Sequence, residues 1–215
     1  MKKMMISAFL LSAVISLSSC SNSQNNTSAT AQENEHNAHD GHDHSGHDHS
    51  HEGTTTNTST PPPTQKEIEE LAQKAPAQTI PAFKFYKVKS GISFTNADIP
   101  KGKKTALILF DPNCSHCQSE AGQLAKNYSK IKDVNIYFVS MNDPALMANF
   151  LETFAKELVG KPNIEVLYDK NQDFIQKIHV PKQFPANYVY GADQQLQTYW
   201  DGDKKINDII AAYTK

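Results

Sequence analysis

Cys114 and Cys117 stand three residues apart in Phe110-Asp111-Pro112-Asn113-Cys114-Ser115-His116-Cys117, directly after the apolar run 105–110 and directly before a helical pattern. A pair so spaced can open and close a disulfide. A strand that delivers the first sulfur to a helix N-terminus sets it among unpaired amide N–H groups and at the positive end of the helix dipole, which favour thiolate over thiol. Cys114 is therefore expected to attack disulfides. Two other uses of the pair are weaker. A permanent disulfide closing so short a loop removes little chain entropy. A zinc knuckle wants a second ligand pair at matched spacing, and the globular part of the sequence offers none.

The third cysteine has a different setting. Lys2-Lys3, an apolar stretch over 4–17 and then Leu17-Ser18-Ser19-Cys20 resemble a bacterial lipoprotein signal. The stretch is too short for a bilayer, which takes about 20 residues, and its flanks suit an export signal that is removed. The resemblance implies a signal peptide over 1–19 and acylation of Cys20, with more than one acyl chain giving a durable membrane anchor. Ser21 is similar to the residue after the lipid site in outer-membrane lipoproteins. The expected location is the bacterial cell envelope, on the outer membrane facing the periplasm, where a dithiol works against an oxidising background.

From 21 to 63 the apolar side chains are Ala29, Ala31 and Ala38 alone. Such a segment cannot bury enough surface to offset chain entropy, so 20–63 reads as a lipidated, disordered tether with an r.m.s. reach of about 35 Å. Within it Gly41-His42-Asp43-His44-Ser45 is repeated as Gly46-His47-Asp48-His49-Ser50, flanked by His36, His39 and His51. Neutral imidazoles on a flexible tract can wrap zinc, copper or nickel with little selectivity and no ordered site. The plainer reading is a polar spacer. The net charge of -2 is small and all 21 basic residues are lysine, so no guanidinium fork is present for phosphate or base recognition, and nucleic acid is excluded as a partner.

Order is expected from 64 to 215, with a core at about 80–215. Thr64-Gln65-Lys66-Glu67 is a capping box leading into Ile68, Leu71, Ala72 and Ala75. Phe83, Phe85 and Val88, then Ser90-Gly91, then Ile92 and Phe94 read as a hairpin. The run 105–110, apolar on both faces, reads as a central strand covered by helices. A helix carrying Ala121, Leu124, Ala125 and Tyr128 on one face precedes a strand over 134–139. A second helix follows, capped by Asp143 with Pro144 at its first position, burying Leu146, Met147, Phe150, Leu151, Phe154 and Leu158, and stopped by Gly160. Residues 164–168 give a strand, 171–179 a helix, and 186–190 with 196–200 a strand pair turned by Gly191-Ala192-Asp193. Ile206, Ile209, Ile210 and Tyr213 close the chain on an amphipathic helix. This alternation predicts an α/β domain with a mixed central sheet flanked by helices on both faces.

Asn113-Cys114-Ser115-His116-Cys117 after a strand, and Phe184-Pro185-Ala186-Asn187-Tyr188 before the strand pair, resemble the thioredoxin fold. The added helix and strand over 143–168 resemble the TlpA/ResA-like branch of membrane-tethered thiol-disulfide oxidoreductases. The resemblance implies thiol-disulfide exchange with protein substrates. Cys114 would attack a partner disulfide and Cys117 would resolve the mixed disulfide. Pro185 would be the cis-proline that faces the dithiol and, with Phe184, binds the substrate backbone; Pro181 is not followed directly by a strand. No cofactor is required. Partners would be exported protein thiols and disulfides and a membrane redox donor or acceptor, with the protein a monomer. His116 lies between the two sulfurs, where an imidazole further favours the Cys114 thiolate and so makes the disulfide a stronger oxidant. That tilts the expectation toward an oxidising or isomerising role.

Three residues depart from the family pattern. Ile108 occupies the strand position where many relatives carry a buried acid beneath the cysteines, so the Cys117 proton needs another route. Glu120, one helical turn along, is not expected to supply it. Asn113 and Phe184 replace the usual neighbours of the first cysteine and the cis-proline, which points to a different partner choice. A peroxiredoxin would carry Pro-x-x-x-Thr-x-x-Cys, but Leu107 and Asp111 stand at the proline and threonine positions before Cys114. SCO-type copper chaperones pair two cysteines with a distant histidine, which His179 could imitate, yet their cysteines have three residues between them. The reading from a second class is a metal-handling lipoprotein that holds copper or zinc with the dithiol and the histidine tract.

Overall fold

The computed structural model describes residues 62–215. Cys20 and the tract histidines His36, His39, His42, His44, His47, His49 and His51 lie outside the described residues, as do the signal peptide and most of the tether.

Thr64 caps α1 (Gln65–Leu71) through the expected reciprocal box with Glu67, and the helix buries none of its side chains. The hairpin is β1 (Lys84–Lys87) with β2 (Ser93–Thr95), turned at Gly91, whose φ of 69° a β-carbon would oppose. Strand β3 (Thr105–Leu109) is buried along its whole length, as an apolar run covered on both faces must be. Helix α2 (Ser115–Lys126) follows, breaks at Asn127 and resumes as α3 (Tyr128–Ile131). Then come β4 (Asn135–Ser140), short helices α4 (Pro144–Met147) and α5 (Phe150–Phe154), β5 (Ile164–Tyr168), a π-helical turn over Phe174–Ile178, β6 (Ala186–Tyr190), β7 (Leu196–Asp201) and α6 (Ile206–Thr214).

The strands form one seven-stranded mixed sheet in the order β2-β1-β5-β4-β3-β6-β7. β3, β4 and β5 are parallel, β1 and β6 run against them, and the edge strands β2 and β7, antiparallel to β1 and β6, run with them. Period-two alternation divides the core. Ala106, Ile108, Ile136, Phe138 and Val189 face α2, α5 and α6 on one side. Leu107, Leu109, Tyr137, Val139, Tyr188 and Tyr190 face Phe85, Phe94, Phe174 and Ile178 on the other. That second side is covered by the π-helical turn, with α1 packed beside it, and by the N-terminal segment.

Two helices differ from their expected form. The one expected after Asp143 begins as foreseen, with the Asp143 carboxylate accepting the Ala145 N–H at 2.7 Å and Pro144 at the first position. It then breaks into α4, α5 and a 3₁₀ turn over Lys156–Leu158, with Ala155 buried at φ −148°, ψ 48°. The helical period does not run through these breaks, so Met147, Phe150, Leu151 and Leu158 go inward while Leu146 and Phe154 remain 54% and 38% exposed. The stretch 171–179 is a π turn because the buried Asp169 carboxylate takes the N–H groups of Asp173 and Phe174, at 2.9 and 2.8 Å, and fixes the entry to the turn. Helix α2 carries Gly122 against α5, where a β-carbon would stand 3.0 Å from the Phe154 carbonyl oxygen.

Candidate active site

The strand β3 ends at Leu109, and the loop that follows is tied down before the helix begins. The Asp111 carboxylate accepts the Asn113 N–H at 2.8 Å, the Asp111 carbonyl accepts the Cys114 N–H at 3.1 Å, and Gln118 donates from its side chain to the Pro112 carbonyl at 2.9 Å. Cys114 is the N-cap of α2, with extended backbone, and its carbonyl accepts the Gln118 N–H. Its sulfur makes no capping hydrogen bond and is half-buried. Cys117, one residue triplet into the first turn, is buried. Both are free thiols. Burial pushes the Cys117 thiol far above the ordinary range; the neighbouring Cys114 thiol and the charge of Glu120 push it further, against a backbone hydrogen bond from Asp111.

The last paired residue of β3, Leu109, lies opposite Ala186, the first residue of β6. The residue before it, Pro185, therefore enters the sheet at the edge from which the dithiol loop leaves. The Phe184–Pro185 peptide bond is cis. Pro185 is buried and Phe184 is 37% exposed.

Beneath the cysteines lies a polar network with no counterpart in the expectations. Ile108 does occupy the centre of β3, and its partner across the strand pair is Asn187. The Asn187 side chain donates to Glu120 Oε1 at 2.9 Å and accepts from the Tyr213 hydroxyl of α6. All three are buried. Glu120 Oε2 has no hydrogen-bond partner among the described residues. Burial raises the Glu120 carboxyl to about 7, with the Asn187 hydrogen bond opposing and the charge of Asp203 adding to the rise. Glu120, one turn along α2, lies on the face that points at the sheet, where its carboxyl meets the cross-strand partner of Ile108. The signal in the sequence was Asn187, a lone amide in an otherwise apolar buried strand, which needs a partner.

His116 points to the outside. Its Nδ1 is 2.5 Å from Asp203 Oδ2, in the loop between β7 and α6. Asp203 had no sequence signal. His179 is elsewhere: its Nδ1 lies 2.7 Å from the hydroxyl of Tyr188, on the face of the sheet opposite the cysteines. Burial lowers its proton affinity. The copper-chaperone arrangement of two cysteines with this histidine is not formed. Among the described residues no cluster of three or more His, Cys, Asp or Glu side chains could hold a metal ion, and no helix is long and apolar enough to cross a membrane.

The sheet with its flanking helices is a thioredoxin-like fold, and fold and family together place the chain among thiol-disulfide oxidoreductases of the thioredoxin superfamily. The family pattern of AhpC/TSA matches residues 61–199, and the chain belongs to the AhpC/TSA family. No curated protein sequence matches it. Among solved structures it is similar to a secreted Mycobacterium tuberculosis disulfide oxidoreductase homologous to E. coli DsbE, at 20% identity and TM-score 0.50, covering 70% of this chain and 98% of that one. It is also similar to DsbF of M. tuberculosis, at 19% identity and TM-score 0.51, covering 66% and 98%. At these identities the likeness is one of fold.

Proposed function

We propose that this protein exchanges disulfides with exported protein substrates while tethered to the bacterial envelope through Cys20. The observation that carries the exchange reaction is the unequal environment of the two sulfurs: Cys114 half-buried at a helix N-cap, Cys117 buried within the field of the Glu120 carboxyl, which burial raises to about 7. The Cys114 thiolate attacks one sulfur of a partner disulfide, and the other sulfur leaves as a thiolate that takes up a proton from solvent. Cys117 then gives its proton to the Glu120 carboxylate and attacks the Cys114 sulfur, and the second partner sulfur leaves as a thiolate that takes up a proton from solvent. The partner gains two electrons and the dithiol loses two. In reverse the same steps oxidise a dithiol partner.

Glu120 suits this task because a general base works best with a proton affinity matched to the working pH. Pro185 and the exposed ring of Phe184 form the edge along which an extended substrate backbone is laid. Peroxide reduction fits less well: Leu107 is buried in β3 on the face away from the cysteines, and Asp111 holds the loop through its carboxylate. The tract histidines belong to a separate, metal-binding role of the tether in this reading.

The decisive experiment is a trap on the intact exported protein. Cys117→Ser should accumulate a mixed disulfide through Cys114 with a partner protein disulfide, and Cys114→Ser should accumulate none. If Cys117→Ser forms no adduct and the wild type does not reduce a small aromatic disulfide, the oxidoreductase reading fails.

A further inference from the structure

A histidine inside the dithiol motif argues, taken alone, for a strongly oxidising couple. The loop after β7 opposes that argument. Residues 201–203 form a short strap that touches both sides of the site. The Asp201 carboxylate accepts the Lys182 N–H at 2.9 Å, and the Gly202 N–H donates to the carbonyl of Pro185 at 2.8 Å. Gly202 holds φ at 75°, a conformation a side chain would strain, and so the strap is seated against the cis-proline loop at a position that favours glycine. Asp203, next in the chain, meets the ring of His116 on the dithiol helix.

The geometry points to Asp203 as a positioning residue that offsets the charge of His116 at the dithiol and holds the redox couple toward its reducing side. This rests on the exchange reaction assigned to Cys114. The physical reason is one of sign. A cationic imidazole two residues from Cys114 stabilises the thiolate, and a carboxylate paired to that ring removes most of the field. Less thiolate stabilisation in the reduced form means a weaker oxidant.

Other groups around the ring do not take over this role. The hollow beside His116 is lined by Ser119 and Gln123 of α2 and by Asp203, Lys204 and Lys205. Lys204 is drawn over the Trp200 ring, 4.2 Å from its centroid, and among the described residues His116 is the ion-pair partner of Asp203. The pair is more than half exposed on both sides, so solvent screens it and its worth to stability is small. The potential, not the melting temperature, is therefore the quantity to read.

The test is a charge cycle on the full chain: wild type, Asp203→Asn, His116→Gln and the double variant, each equilibrated with glutathione at pH 5.5. Asp203→Asn leaves an uncompensated cation and should make the dithiol more oxidising by about threefold in equilibrium constant, about 14 mV for a two-electron couple. His116→Gln leaves an uncompensated anion and should shift it about as far the other way. The double variant, neutral like the wild-type pair, should return to near the wild-type value, and Asp203→Glu should stay there. The single-variant shifts should shrink in 1 M salt. An Asp203→Asn potential equal to wild type, or a double variant that keeps the full Asp203→Asn shift, overturns the assignment while leaving the exchange reaction standing. A wild type that exchanges no disulfide at all sinks the reaction itself, and Asp203 with it.

Discussion

Two buried acids, Glu120 on the dithiol helix and Asp169 after β5, are held differently. Glu120, on the helix-covered face, accepts one hydrogen bond from Asn187 and leaves its second oxygen without a partner. Asp169, at the end of β5, accepts the N–H groups of Asp173 and Phe174 with its two oxygens and so opens the π turn. Burial raises both carboxyls, Glu120 to about 7 and Asp169 to about 6. A raised proton affinity therefore does not separate a chemical acid from a structural one. What separates them is whether the oxygens are already committed: a carboxylate with a spare oxygen beside a buried thiol can take a proton without breaking structure, and one that holds two backbone amides cannot.

The contrast can be broken most forcefully at the cysteines' acid. Glu120→Gln should slow resolution of the Cys114 mixed disulfide by on the order of 100-fold, the usual worth of general acid-base catalysis, while initial attack by Cys114 changes little. Stopped-flow rates of the two steps check this. Equal slowing of both, or of neither, removes Glu120 from the reaction. Asp169→Ala should leave two buried amides without acceptors and cost about 2–4 kcal/mol in urea denaturation, with exchange per folded molecule unchanged.

The pH dependence sharpens the same comparison. A carboxyl with a folded-state pKa raised above its unfolded value stabilises the fold fully below the unfolded pKa and loses that contribution as pH rises through the folded one. For Glu120 the window runs from 4.5 to about 7, and its loss is on the order of 3 kcal/mol at 1.36 kcal/mol per unit. Stability of the wild type should fall across that window, and Glu120→Gln should flatten the fall, measured by denaturation at pH 5 and pH 8. The resolving rate should move oppositely, rising as Glu120 ionises. The smallest effect belongs to Tyr213→Phe, which removes the hydroxyl that Asn187 accepts and should cost about 1 kcal/mol, with a modest change in the pH midpoint of the resolving step. Deleting residues 36–51 should leave exchange with a small disulfide unchanged and should remove most metal uptake by the chain, as judged by equilibrium dialysis.

Local sequence carried the elements whose signals are local. A capping box is complete within four residues, so α1 began where Thr64 and Glu67 placed it. The apolar run of β3, the cysteine spacing and the proline before β6 are equally self-contained, and the Phe184–Pro185 bond is cis. Period alone overreached after Asp143, because it cannot register a break such as the one at Ala155, and Leu146 and Phe154 consequently lie exposed. It overreached again at 171–179, where the capping carboxylate of Asp169 comes from a strand end and rewrites the turn.

The order of the residues thus settled which sulfur caps a helix and which one follows it into the first turn, since both facts depend only on neighbours in the chain. Tertiary structure alone decided what surrounds them. Glu120 meets Asn187 across 67 positions, and Asp203 meets His116 across the whole β4-to-β7 half of the sheet. Such pairings are set by strand order and helix packing, and proton affinity follows from them because it depends on burial and on nearby charge in space rather than along the chain.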